Sequence, residues 1–280
     1  MRARVTQKLA FGITWAAGII IVLVLVYIIG YVIATGWRAI TPDFLFRPPS
    51  EGGISTAIVG TIYIVVLTIA IATPLGIGAA IYLTEYATEN WITRLVRYGI
   101  ETLAGVPSIV FGLFGFALFA LSLLGTRCLL AGALTLACLV LPTMIRASEE
   151  AIKAVPVSIR EASLALGATR WQTIRHAVMP AALPGVMTAI ILSIGRTVEE
   201  TACLYVAMGI NPLNMPISPL SGGTTLSLHL YYLAMEVPFT IEPMFMEKAM
   251  GTGVVLILII IIINSLTHWI SSRYAARMIR

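Results

Sequence analysis

The chain has 280 residues, 59% of them hydrophobic and 11% charged, with a formal net charge of +5 and a mean hydropathy of +0.95. A soluble domain of this length needs far more polar surface, so the composition excludes one and points to an integral membrane protein. Cys128, Cys138 and Cys203 all fall in apolar stretches; they imply neither a disulfide framework nor a zinc site and read as small packing residues.

Six apolar stretches follow one another along the chain. A helix crosses a hydrocarbon core of about 30 Å with about 20 residues. The six cores lie near 11–34, 54–83, 102–123, 128–146, 182–208 and 250–270. The first follows Arg2, Arg4 and Lys8, as a signal peptide would. Its apolar run is too long for one and no small-x-small cleavage site follows, so a retained anchor is expected. A turn-rich loop, 35–53, separates it from the second. Pro107, Gly112 and Gly115 interrupt the third, which is expected to be bent or partly re-entrant.

The fourth stretch ends at Arg146, with Glu149 and Glu150 three and four residues on. The plain reading is a helix-end ion pair at the membrane surface. Residues 147–181 then read as a helix, a stop at Pro156, and a short helix from Ser158 with Glu161 in its first turn. A break at Gly167 follows, and then a further helix capped by Thr169. Such a loop is a rigid finger, suited to docking on a partner or simply a basic membrane-protein loop. A longer loop, 210–248, is full of turn residues at first. It then offers TTLSLHLYYLAME as a short helix at the interface or against the bundle.

Counting Lys and Arg sets the orientation. With the N-terminus in the cytoplasm, thirteen of the eighteen fall in cytoplasmic segments, four in outer ones, and Arg196 lies inside a span. The expectation is an all-α, polytopic, single-domain protein over 1–280, with six transmembrane helices and both termini cytoplasmic.

The fifth stretch contains SIGRTVEETACLY, with Arg196, Glu199 and Glu200 near the middle of the bilayer. A charge there costs about 2.5–3.5 kcal/mol on insertion scales. Both glutamates stand at helical pairing distance from Arg196, so a locally compensated cluster is expected. One reading is an ion pair that fixes packing. The other is a path for an anion. Arginine's planar fork suits an oxyanion. An ionised carboxylate beside it accepts a phosphate O–H and repels an oxyanion that has none.

The finger carries a resemblance. Glu161-Ala162-Ser163, then Gly167, then Met179-Pro180 resembles the EAA loop of ABC-importer permeases. Glu161, Ala162, Gly167 and Pro180 match that pattern, whereas Ser163, Ala177 and Met179 depart from it. A narrower likeness runs through PPSEGGISTAIVGT, PLGIGAAIYLTEYA, GVPSIVFGLFGFALF, LPTMIRASEEAIKAVP and EASLALGATRWQTI, in that order. Together these resemble the PstA-type permease subunit of the phosphate-specific ABC importer.

The resemblance implies a type I permease fold and a substrate path with Arg196, Glu199, Glu200, Thr201 and, more weakly, Arg146. It implies an ATPase-coupling loop with Glu161, Ala162, Ser163, Gly167 and Pro180. GRTVEETA matches the family's run at Arg196, Glu200, Thr201 and Ala202, and Glu199 stands where the family usually has glycine. The implied partners are a PstC-type second permease, a PstB-type ATPase dimer, and an extracytoplasmic phosphate-binding protein, in a lipid membrane and without nucleic acid.

The chain contains no G-x-x-x-x-G-K-[ST], so ATP and Mg are expected on the partner ATPase, with no cofactor or metal on this chain. Asp43 is the only aspartate and there is no H-E-x-x-H, which argues against an intramembrane enzyme. A permease for sulfate, molybdate or phosphonate, or an ion-coupled secondary carrier, are the alternatives.

Overall fold

The computed structural model describes residues 2–236 and 243–278. Positions 237–242 of the expected outer loop, and Arg280, lie outside the described residues. Among the described residues the chain is helix and connecting loop, with no strand.

Helix α1 (Arg2–Gly36) and the short α2 (Pro42–Phe46) lead to α3 (Ser55–Ile81), which ends in a π-helical turn over Tyr82–Tyr86. Then come α4 (Trp91–Ala104), α5 (Ser108–Gly115, continuing as a wide turn to Leu123) and α6 (Leu129–Lys153). The loop helices are α7 (Val157–Ala165) and α8 (Arg170–Thr173). They are followed by α9 (Met179–Glu199), α10 (Ala202–Ala207), α11 (Leu226–Tyr231) and α12 (Pro243–Met278).

Five helices are long and apolar enough to cross a membrane, or six if α4 and α5 count as one bent span. They do not form a straight span over 102–123. The chain turns by 103° between α4 and α5. Pro107 supplies no N–H and disfavours the helical region for Val106 before it, so α4, which ends at Ala104, does not continue and α5 begins afresh at Ser108. α4 has one polar and one apolar face, as a helix lying along a membrane surface does. The fifth span also departs from the expected 182–208: its helix runs unbroken from Arg170 and stops at Glu199.

α6 is the central post. In its most apolar window 61% of residues are buried, against none for α1. The main core joins Ile64, Val65 and Ala72 of α3 to Leu136, Val140 and Met144 of α6, with Phe111, Val198, Cys203 and Leu228 closing it. A second cluster joins Ala80, Ile152, Val155, Val178, Ala182 and Val186 at the α7 end, where α3, α6 and α9 converge. Among the described residues α1 packs mainly along α12, apart from this core.

The outer segment is drawn into the bundle over 223–229, while most of 211–220 stays exposed. Thr61 of α3 accepts from the Leu226 N–H at 2.9 Å, and the Thr56 hydroxyl donates to the Pro212 carbonyl at 2.9 Å. Leu129 and Leu130 N–H groups donate to the Ser221 and Pro219 carbonyls at 3.0 and 2.8 Å. Gly60 permits the approach, because any side chain there would collide with the Thr224 carbonyl. The apolar part of TTLSLHLYYLAME is therefore a buried helix against α3 and α12.

Candidate functional site

The charged run of the fifth span sits at a helix end. Glu199 is the last residue of α9, and Glu200 turns the chain into extended backbone at φ −70°, ψ 123°. Neither proline nor glycine makes this break. The carbonyls freed by it find hydroxyl donors instead: Thr201 Oγ1 to Glu199 O at 3.3 Å, and Ser227 Oγ to Glu200 O at 3.0 Å. The Glu200 carboxylate accepts from the Cys203 N–H at 3.4 Å and so caps α10.

The expected pairing of Arg196 with Glu199 and Glu200 does not form. Glu200 has left the helix, and its carboxylate is turned to the next one. Glu199 is exposed. Arg196 is half-buried, its Nε is buried without a hydrogen-bond partner, and among the described residues no carboxylate pairs with it. What favours the charge locally is its place in the last turn of α9, where helix carbonyls leave partial negative charge.

The direction in which α9 presents this arginine is set by its two faces. Ala182, Val186, Ala189, Ser193 and Thr197 are buried in the bundle. Pro184, Thr188, Leu192 and Glu199 form the uncovered face, and Arg196 stands between the last two.

The finger has the expected order with two shifts. α7 starts at Val157, so Glu161 is its fifth residue and lies outside the first turn. Gly167 takes φ +83°, the left-handed region that stops a helix cheaply only with glycine. Thr169 and Gln172 form a reciprocal capping box at 2.8 and 3.3 Å. Ser163, which replaces the family's alanine, hydrogen-bonds to Thr173 at 3.0 Å and ties α7 to α8. Pro180 lies within the continuous helix, just after a wide turn over Ile174–Val178 that absorbs its missing N–H. Glu161 and Ala162 are exposed, as are Leu166 at 90% and Trp171 at 55%.

Arg146 stands apart from Arg196, in a charged cavity of about 220 Å³ at the α7 end. It lies 3.6 Å from Glu150, as its spacing predicts, and 3.6 Å from Glu101 of α4. Glu149 does not join it. That carboxylate, nearly buried, sits 3.0 Å from Arg97 and 2.7 Å from Lys153, in contacts that are ionic rather than well-angled hydrogen bonds.

A family model described as binding-protein-dependent transport system inner membrane component matches residues 72–280. The chain belongs to this family. It is a multi-pass membrane subunit of a transport system, not an enzyme. The permease is 32% identical to the probable ABC transporter permease protein YqgI of Bacillus subtilis (strain 168), over 97% of both chains. It is 37% identical to the phosphate transport system permease protein PstA 1 of Mycobacterium tuberculosis (strain CDC 1551 / Oshkosh), over 75% of this chain and 71% of that one. A chain of a bacterial alginate ABC transporter, solved with an alginate pentasaccharide-bound periplasmic protein, superposes with a TM-score of 0.72 at 15% identity, covering 95% of each. A chain of the inward-facing MetNI methionine ABC transporter gives 0.63 at 20% identity, over 81% of the permease and 98% of that chain. These two likenesses establish the type I permease fold.

Several charged residues of the permease have partners that spacing does not signal. Arg97 reaches Glu89 at 2.7 Å and the Leu83 carbonyl at 3.1 Å, beside its contact with Glu149. Glu101 takes Arg146. Arg160, in the finger, binds Glu85 at the end of α3, across 75 positions of sequence. Glu85 and Glu101 look like ordinary boundary residues in the sequence. Only the convergence of α3, α4 and α6 brings them to their arginines.

Proposed function

We propose that the permease is the membrane-spanning subunit of an ATP-driven importer of inorganic phosphate. The observation that carries this reading is Arg196: a guanidinium without a carboxylate partner among the described residues, on the uncovered face of α9, at the point where the helix breaks. It lies roughly 24 Å along the helix from Pro180 at 1.5 Å per residue. Lipid is excluded on that face, since an unpaired charge at such depth costs several kcal/mol. A second permease subunit across a watery path satisfies it. The names of the PstA relatives supply the anion.

The chemistry follows from the residue types. The Arg196 fork makes two parallel hydrogen bonds to an oxyanion. Glu199, exposed beside it, accepts the O–H that phosphate carries near neutral pH. Glu200 and Thr201 hold the break open rather than contact the anion. Arg146, already held by Glu101 and Glu150, takes a structural part.

α7 with Glu161, Ala162 and Leu166 is the surface on which the ATPase docks, and ATP with Mg is held there by the partner. Exposed Leu166 and Trp171 on a projecting finger fit a buried contact better than open water. The α7 end, rich in Lys and Arg, faces the cytoplasm together with both termini, which leaves 35–53 and the 210–248 loop for a phosphate-binding protein.

Competition tests the substrate. Arsenate, tetrahedral and protonated like phosphate, is expected to block phosphate uptake by the assembled importer, and sulfate to leave it unaffected. Equal inhibition by sulfate contradicts the reading and favours a general oxyanion permease.

A further inference from the structure

α7 buries none of its residues, so apolar packing does not fasten the finger helix to the transmembrane body. Arg160 does. Its side chain is 18% exposed and that of Glu85 is 10% exposed. Nε and Nη2 of Arg160 both donate to Glu85 Oε1, at 3.1 and 2.8 Å. Nη1 donates to the Val155 carbonyl at 2.6 Å, and Nη2 also to the Ile152 carbonyl at 2.9 Å. One guanidinium thus grips the wide turn that ends α3 and the carbonyls at the end of α6.

Both grips stand on a packed floor. Ile152 and Val155 belong to the apolar cluster that joins α6 to Ala80 of α3 and to Val178, Ala182 and Val186 of the α9 helix. A planar fork held by three acceptors resists displacement in more than one direction, which a greasy contact or a lysine point charge does not. The other ion pairs at this end, through Arg97, Arg146 and Lys153, join α4 to α6 or to Glu89 in the loop before α4, or close within α6, and leave α7 untouched.

We propose that Arg160 and Glu85 form a coupling clamp. They are positioning residues that make α7 move as one piece with α3 and α6, and so carry a displacement of the finger into α9 and Arg196. This rests on the reading of α7 as the ATPase-docking helix.

The assembled importer, reconstituted in vesicles with the phosphate-binding protein and ATP on opposite sides, gives three readouts from one sample: ATPase retained, ATP hydrolysed and phosphate imported. Arg160→Gln and Glu85→Gln are each expected to retain the ATPase and go on hydrolysing. Phosphate imported per ATP falls at least about five-fold, the low end of a typical coupling between sites. The double variant, in which no charge is stranded, falls no further than either single one, because all three cut the same link. Arg160→Lys lies between.

The clamp is refuted if phosphate per ATP is unchanged in both single variants. It is equally refuted if retention, hydrolysis and import fall in proportion, which is the mark of a merely structural pair, or if the two losses multiply in the double variant. Failure of the docking reading shows elsewhere: Leu166→Glu and Gly167→Pro then leave ATPase retention at its wild-type level.

Discussion

Arg196 and Arg160 stand in glutamate-rich surroundings and use them in opposite ways. Arg196 has glutamates three and four residues on and pairs with neither: Glu200 has left the helix, and Glu199, its last residue, is exposed. Arg160 has Glu161 next to it and binds Glu85 instead, 75 positions away, through two hydrogen bonds, with two more to carbonyls. Sequence spacing governs pairing only where the backbone stays regular. Where it breaks, a charge becomes available to a ligand. Where separate helices converge, a charge is consumed by the fold.

That contrast is open to attack at several points. Arg196→Gln should reduce phosphate uptake by more than about 30-fold, since truncating one partner of a desolvated charged contact costs about 2–5 kcal/mol. ATPase retention should not change, and near wild-type uptake would place the anion elsewhere. Arg160→Ala leaves Glu85 nearly buried without its cation, and thermal unfolding in detergent should show a loss of about 3 kcal/mol, the low end for breaking a buried pair. A loss below about 1 kcal/mol would make it a surface pair in energetic terms.

Gly167→Ala meets no neighbouring atom, so its whole effect is the left-handed backbone, about 1–2 kcal/mol. It should appear as weaker ATPase retention on an otherwise stable permease. Arg146→Ala should cost less than about 1 kcal/mol, because it and its two partners are each more than half exposed. A larger loss, or a fall in uptake, would move Arg146 from the fold into the path.

Much of the architecture is legible in hydropathy, because a bilayer of fixed thickness demands long apolar runs. The runs that became α1, α3, α6 and α12 read plainly. The third and fifth do not, for a shared reason. A charge-free stretch shows that residues tolerate lipid or a core, but not that one straight helix contains them. Pro107 marks the turn between α4 and α5, whereas nothing in VEETACL marks the end of α9; the hydroxyls of Thr201 and Ser227 make that break tolerable, and Ser227 arrives from the distant outer segment. The finger was readable from Pro156, Gly167 and Thr169, whose local chemistry is self-contained. Arg160 was not, because its partner comes from another span.

The central claim is that the uncovered face of α9 lines a watery path rather than lipid. Thr188 lies on that face two turns before Arg196, and Leu23 on α1 is comparably uncovered at 62%. The test is the rate at which a charged, water-soluble thiol reagent modifies Thr188→Cys and Leu23→Cys in the assembled importer, in a background lacking Cys128, Cys138 and Cys203. The account predicts rapid modification at position 188 and none at 23. Equal inertness at both positions would put the Arg196 face against lipid or dry protein and contradict it.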